Sequence, residues 1–282
     1  MKPWIKQLLD CKLVPYIATS EMILPHLDLS IFGGHEVVKL LEDPKSRNFH
    51  EAYLVSNSFG FGNPDLKMAN WVYIDCVLMQ TAVVGFAVKV EDAPDSLRYF
   101  YEDDPYVDLE TLDYIPISGQ IAGLGMDGQT LTGFSLFSLR RQLPHLNLPK
   151  LGTMTKYAAL HVYKGEEKGK LIGLTQYDNR ALRTHAIFGP KMYIERAIMP
   201  LHPLREMSFT YSMQIEFNEE KIFGDMENVE CTDPIEFLLK ADDTVQKQEL
   251  QVRIDAGERF YVAPPIHIHR EDGLYLPIAK ES

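Results

Sequence analysis

Cysteine is scarce in this chain, basic residues are outnumbered, and no apolar run is long enough to cross a bilayer. Its three cysteines, Cys11, Cys76 and Cys231, stand far apart in 282 residues. That number and spacing exclude a disulfide framework and a cysteine-based zinc site, and the thiols read as reduced residues of a cytoplasmic protein. Lysine and arginine total 28 against 40 acidic residues, a net charge of -12. A chain so anionic lacks the cationic surface that a nucleic-acid backbone requires, and nucleic acid is set aside as a partner. The longest apolar stretch, "VLMQTAVVGFAV", is broken by Gln80 and Thr81 and falls short of the roughly 20 residues of a membrane span. Near the N-terminus Lys6, Asp10 and Lys12 interrupt the apolar residues, so no signal-peptide centre forms. Repeats, low-complexity tracts and long linkers are missing too. The reading is a soluble, cytoplasmic globular protein with enough apolar residues for one large domain or two small ones.

What is there is mostly strand-like. The first seventy residues read as irregular, apart from an amphipathic stretch, "GGHEVVKLLEDP", in which Val37, Val38, Leu40 and Leu41 have helical spacing and Pro44 marks the stop. After a loop at "FGFGNPDLKMAN", the run "WVYIDCVLMQTAVVGFAVKV" reads as one or two strands turning near Gln80 and Thr81. Residues 91–113 interleave carboxylates with aromatics, a solvated loop or an acidic wall for an amine. Two strands then meet at "MDGQ", where Asp-Gly suits a type I′ turn. Thr153 to Tyr163 fits a short helix ended by Gly165 or, with residues up to Tyr177, a hairpin; its alanines favour the helix. Further strands are expected in "KLIGLTQY", "KMYIERAIMP", "EMSFTYSMQIEF", "KQELQVRI" and "ERFYVAPPIHIH". A helix start is expected at Asp233, with Pro234 next and Glu236 three residues on, and the residues after 217 read as a C-terminal extension packed on the main domain (1–217).

One constellation carries chemistry. In "DNRALRTHAIFG", Asp178 is followed by Ala181, His185 and Gly189 at intervals of three, seven and eleven residues, directly after the strand-like "KLIGLTQY". On a helix, Asp178, Ala181, Leu182 and His185 would share a face. About 26 residues upstream, "LPKLGTMTKYAAL" places Gly152 and Thr153 in the first turn of a helix. A helix N-terminus beside glycine offers unpaired N–H groups and a positive dipole end, a seat for phosphate. Together, over about Thr132 to Phe217, these segments resemble the GNAT acyltransferase superfamily. That family holds the pyrophosphate of acyl-coenzyme A on a turn Q/R-x-x-G-x-G/A, followed by a strand and then a helix N-x-x-A-x-x-x-Y with a nearby Gly. Here Asn147 stands for the Gln or Arg, Lys150 for the first Gly, Asp178 for the Asn and His185 for the Tyr.

The resemblance implies an α/β (α+β) fold: a twisted, mostly antiparallel sheet with flanking helices, β-rich overall, around a GNAT-like core. It implies acyl-coenzyme A as co-substrate and a small amine or amino acid as acceptor, and a homodimer is compatible with it. Pyrophosphate would lie on the N–H groups of Leu151, Gly152, Thr153 and Met154, with Lys150 or Lys156 adding charge and Asp178 marking the second cofactor-binding element. A backbone N–H in "FSLFSL" would polarise the thioester carbonyl, and His185 would protonate the departing thiolate. For the general base, Asp75, Glu91 and His145 are the candidates.

Two other readings compete. "LRRQLPHLNLPKLG" with "GPKMYIERAIMPLHPLREM" resembles acetoacetate decarboxylase, a β-barrel lyase in which Lys150 would form the Schiff base from a desolvated pocket. A non-catalytic β-rich protein enclosing a hydrophobic ligand is the third. His267 and His269 alternate before Glu271 and Asp272, but no third metal ligand is placed by the sequence, and no metal is assigned.

Overall fold

The computed structural model describes residues 3–61, 68–144, 148, 150–164, 169–199, 206–224 and 234–281. The fold is mixed α/β, with twelve strands, mostly antiparallel, among the described residues. By contact the chain forms two compact units, Met1–Gly125 with Gly133–Glu167, and Met126–Thr132 with Lys168–Ser282.

In the first unit, helix α1 (Pro3–Asp10) leads into strand β1 (Leu13–Thr19), which pairs in parallel with β2 (Val38–Leu40) and antiparallel with β3 (Ala82–Lys89). Strand β3 pairs with β4 (Tyr114–Leu124), and β5 (Thr130–Ser138) follows in the order β2-β1-β3-β4-β5. Strand β4 is buried at every residue from Ile115 to Gly123. A strand with no solvent face needs cover on both sides. Helix α2 (Arg47–Phe61) supplies one cover, with Ser56 Oγ donating to the Pro116 carbonyl (2.7 Å), and α4 (Leu151–Lys164) contributes the Thr155 Oγ1 to Ser118 Oγ bond (2.7 Å). Both helices are buried around nearly their whole circumference, which explains their lack of a polar stripe.

Close approach shapes this core. Gly85 and Gly119 are paired across β3 and β4, and the Tyr16 ring lies against both. A Cβ on Gly85 would stand 2.0 Å from the Ser118 carbonyl oxygen and 2.6 Å from the Tyr16 hydroxyl. That hydroxyl donates to the same Ser118 carbonyl at 2.9 Å. The two missing side chains are the slot for the tyrosine.

In the second unit, β6 (Lys170–Gln176) begins beside the start of β5, with Lys170 N–H donating to the Gln129 carbonyl at 3.3 Å. Helix α5 (Ala181–Ala186) leads to β7 (Met192–Arg196) and β8 (Ser208–Gln214), and β8 pairs antiparallel with both β6 and β7. After α6 (Glu219–Phe223) come β9 (Ile235–Lys240), α7 (Thr244–Asp255), β10 (Phe260–Val262), β11 (Ile268–Arg270) and β12 (Gly273–Lys280). Strand β10 pairs with β7, so the C-terminal residues continue the second unit's sheet.

Several expectations are corrected. Val38–Leu40 is a strand rather than a helix, and the first seventy residues hold α1, β1 and α2. Val72–Leu78 is a π-helix; only the second half of that run, β3, is a strand. Residues 95–102, inside the acidic segment, form helix α3. Gly128 has φ 65° but Asp127 does not share a positive φ, so the "MDGQ" turn is not type I′. Instead the Asp127 carboxylate accepts from the Thr130 hydroxyl and from the N–H groups of Thr130 and Gln129, which holds its pKa down to about 2. Glu236 lies in strand β9; the helix start is ten residues later, where Asp243 accepts from Gln246 N–H at 3.0 Å and "KQELQVRI" is helical. The hairpin alternative falls, because residues 151–164 are helical; Gly165 lies outside the described residues.

Replacing Gly85 by Ala is expected to lower stability by about 1–3 kcal/mol or more through overpacking. Chemical denaturation checks this, and an unchanged midpoint would mean that Tyr16 is free to move away.

Candidate functional site

Three non-glycine residues among those described have left-handed φ: Lys12 (58°), Ser135 (57°) and Lys150 (67°). Such a backbone costs about 1–3 kcal/mol and persists only where the surroundings impose it. Ser135 lies within "FSLFSL", and Lys150 opens α4. Two of the three strained positions therefore fall in the two elements to which the sequence assigns backbone N–H chemistry.

Around Ser135 the in-out alternation of β5 fails: Phe134 is exposed, and Ser135 and Leu136 are both half-buried. A left-handed residue within a strand breaks the regular pleat at that position. Beyond it the strand is tied back to β4 by the Leu139 N–H donating to the Ile117 carbonyl (2.8 Å). The Ser135 side chain is held from α2, where Asn57 Nδ2 donates to Ser135 Oγ at 2.8 Å. Tyr53, one turn earlier, turns its hydroxyl toward the same two residues, and burial pushes its phenol well above the ordinary range. Its ring stacks on Tyr73 (5.0 Å) and meets Phe137 edge-on (5.5 Å).

At the start of α4, Met154 N–H donates to the Lys150 carbonyl at 2.9 Å, which makes Lys150 the N-cap. The Met154 N–H is thereby used inside the helix, so the expected four-residue cradle shrinks to Leu151, Gly152 and Thr153. A left-handed residue followed by a helical one forms a nest whose successive N–H groups converge on an anion. Gly152 has an ordinary φ, and a Cβ there would meet only Ser138 Cβ, at 3.8 Å. The glycine is thus not demanded by the protein's own packing. The turn carrying Arg140 and Arg141 hangs from the same Ser138, whose Oγ accepts from Arg140 N–H at 3.4 Å. These two exposed arginines went unassigned in the sequence because only their position after β5 links them to the helix start.

Lys156 does not add charge at this end. It is fully buried in the middle of α4, and burial holds its ammonium pKa well below the ordinary lysine range. Lys150, the Schiff-base candidate of the lyase reading, is half-buried at the cap.

Asp178 and His185 belong to the second unit. Asp178 is exposed and precedes the helix, whose N-cap position is Arg180; Asn179 Oδ1 accepts from Ala181 N–H at 2.9 Å. His185 is buried, its ring 5.6 Å from that of Tyr211. Gly189 lies beyond the helix end, and a Cβ there would stand 2.5 Å from the Gln214 carbonyl, so it serves close approach to β8 rather than helix termination.

Of the base candidates, Asp75 is exposed on the π-helix and Glu91 is exposed and paired with Lys89 (3.6 Å); His145, like Asn147, lies outside the described residues. The acidic segment lines a surface cavity of about 480 Å³, where Glu91, Glu110 and Asp113 face Lys89 and Arg98. His267 Nε2 donates to the Tyr177 carbonyl (2.9 Å), and the ring is buried, with its pKa lowered chiefly by that burial, while His269 is exposed. Among the described residues no group of three His, Cys, Asp or Glu side chains is arranged to hold a metal, and no helix is long and apolar enough to cross a membrane. Comparison with family models, curated proteins and solved structures finds no match to this chain.

Lys156 gives a pH signature. Its folded pKa lies below the unfolded value of about 10.4, so the unfolded chain binds the extra proton and stability rises with pH toward that value, by up to about 1.4 kcal/mol per unit. Denaturation at about pH 7 and pH 9 is expected to show a larger gain for the wild type than for Lys156→Met. Equal gains would mean that the lysine keeps its proton in the fold.

Proposed function

We propose that the chain is an acyltransferase that moves an acyl group from acyl-coenzyme A to a small amine or amino acid. The observation that carries this reading is the pair of strained residues, Ser135 and Lys150, one on the strand that leads into α4 and one at its cap. The order β5, α4, β6, α5, β7 also follows the element order that the GNAT resemblance implies.

In the reaction, the acceptor nitrogen lone pair attacks the thioester carbonyl carbon. Charge develops on the carbonyl oxygen, where the Ser135 N–H stabilises it as a fixed dipole. The C–N bond forms and the C–S bond breaks, its electron pair leaving on sulfur, while the nitrogen gives up a proton. The proton that the nitrogen loses balances the one that the departing thiolate takes up. The N–H groups of Leu151, Gly152 and Thr153 hold the pyrophosphate, with Lys150, Arg140 and Arg141 as the nearby cations.

Thermal unfolding with coenzyme A, acetyl-coenzyme A and longer acyl forms tests the reading. A ligand of the native state stabilises it by about 2.7 kcal/mol at a hundredfold excess over its dissociation constant. The shift is expected to vanish in Gly152→Val, whose side chain fills the space before the N–H groups, while unliganded Gly152→Ala melts like the wild type. No shift with any of these ligands takes the transferase reading away.

A further inference from the structure

We infer that Asn57 is a positioning residue that fixes the Ser135 peptide where its N–H meets the acyl carbonyl; this rests on the transferase reading. A serine at φ 57° has ordinary β conformations open to it, and only glycine occupies this region without steric cost. Released from its surroundings, Ser135 would relax toward an ordinary extended conformation, and its peptide would turn away.

The restraint on the side chain is the bond from Asn57 Nδ2 to Ser135 Oγ. Asn57 is buried, and its helix is itself fastened to the sheet one residue earlier. Ser56 Oγ donates to the Pro116 carbonyl (2.7 Å) and lies 2.6 Å from the Tyr101 hydroxyl. Strand β4, which carries Pro116, also holds the end of β5 through Ile117 and Leu139. The bonds make a closed frame: β4 to Ser56, along α2 to Asn57, across to Ser135, and down β5 back to β4. Within this frame the amide holds the Ser135 side chain and with it the left-handed peptide, and the packing of Tyr53 against Phe137 and Tyr73 keeps α2 from sliding. Asn57 need touch neither substrate. It acts through Ser135.

The decisive comparison uses the wild type, Asn57→Ala, Ser135→Gly and the double variant. Glycine keeps a left-handed φ unaided, so it should make Asn57 dispensable. Two measurements are made on each: amide hydrogen exchange at residues 134–136 without ligand, and the isotope-edited infrared carbonyl stretch of bound acetyl-coenzyme A. In Asn57→Ala, exchange is expected to speed by about tenfold or more, and the stretch to return toward its value in free acetyl-coenzyme A, with the dissociation constant changed by less than about threefold. The double variant is expected to recover the lowered stretch.

Unchanged exchange in Asn57→Ala overturns the positioning role directly. Faster exchange with an unshifted carbonyl shows that the restraint does not reach the reacting group, and overturns it equally. Failure of the wild type to bind acetyl-coenzyme A at all is a different result: it removes the proposed function, and the inference with it.

Discussion

A strand without a solvent face dictates what may cover it, and β4 is such a strand. Every residue from Ile115 to Gly123 is buried, so the backbone and side-chain polar groups there must find partners inside the protein. The covering helices and strand β1 supply hydroxyls: Ser56 of α2 reaches the Pro116 carbonyl, Tyr16 of β1 the Ser118 carbonyl, and Thr155 of α4 the Ser118 side chain. Each bond also fixes a helix or strand in register with β4. The elements that carry the candidate site in the first unit, α2, β5 and α4, are thus anchored to one buried strand. The desolvation of Lys156 belongs to the same arrangement, since α4 is buried all round.

That anchoring explains how strain can be tolerated. A left-handed serine or lysine costs about as much as one or two net hydrogen bonds contribute. A loosely packed strand would shed it. Between the Asn57 bond and the tie from Leu139 to Ile117, Ser135 has no low-cost way to straighten. Lys150 is constrained differently: its carbonyl accepts the first helical bond, from Met154 N–H.

Much of the sheet was legible in the sequence. Residues 82–89, 114–124, 130–138, 170–176, 192–196 and 208–214 are all strands within the runs that read as strands, because β-branched and aromatic residues dominate them. The misreadings have physical causes. "VVKLL" is too short for periodicity to separate a helix from the three-residue strand that pairs with β1. "VYIDCVL" has strand composition, but Tyr73 stacks on Tyr53 and packs beside His50, and tertiary packing draws the segment into a π-helix. Asp233 and Asp243 both precede an acid or amide by three residues, and local spacing alone cannot rank them. At the site, the helix start and Gly152 were visible. Ser135 was not, because its conformation is set by a side chain 78 residues away.

The groups that the proposed reaction uses at both ends of the donor are peptide N–H groups: Ser135 at the carbonyl, and Leu151, Gly152 and Thr153 at the pyrophosphate. Almost any residue can present an N–H, so a site of this kind leaves little trace in residue identity. What identity must supply is conformation and room. A left-handed φ without glycine demands an anchor, and Asn57 is that anchor; an approach to the helix N–H groups demands a missing side chain, and Gly152 has none although its neighbours would admit one. The side chains that matter most to such a site are therefore those that touch no substrate.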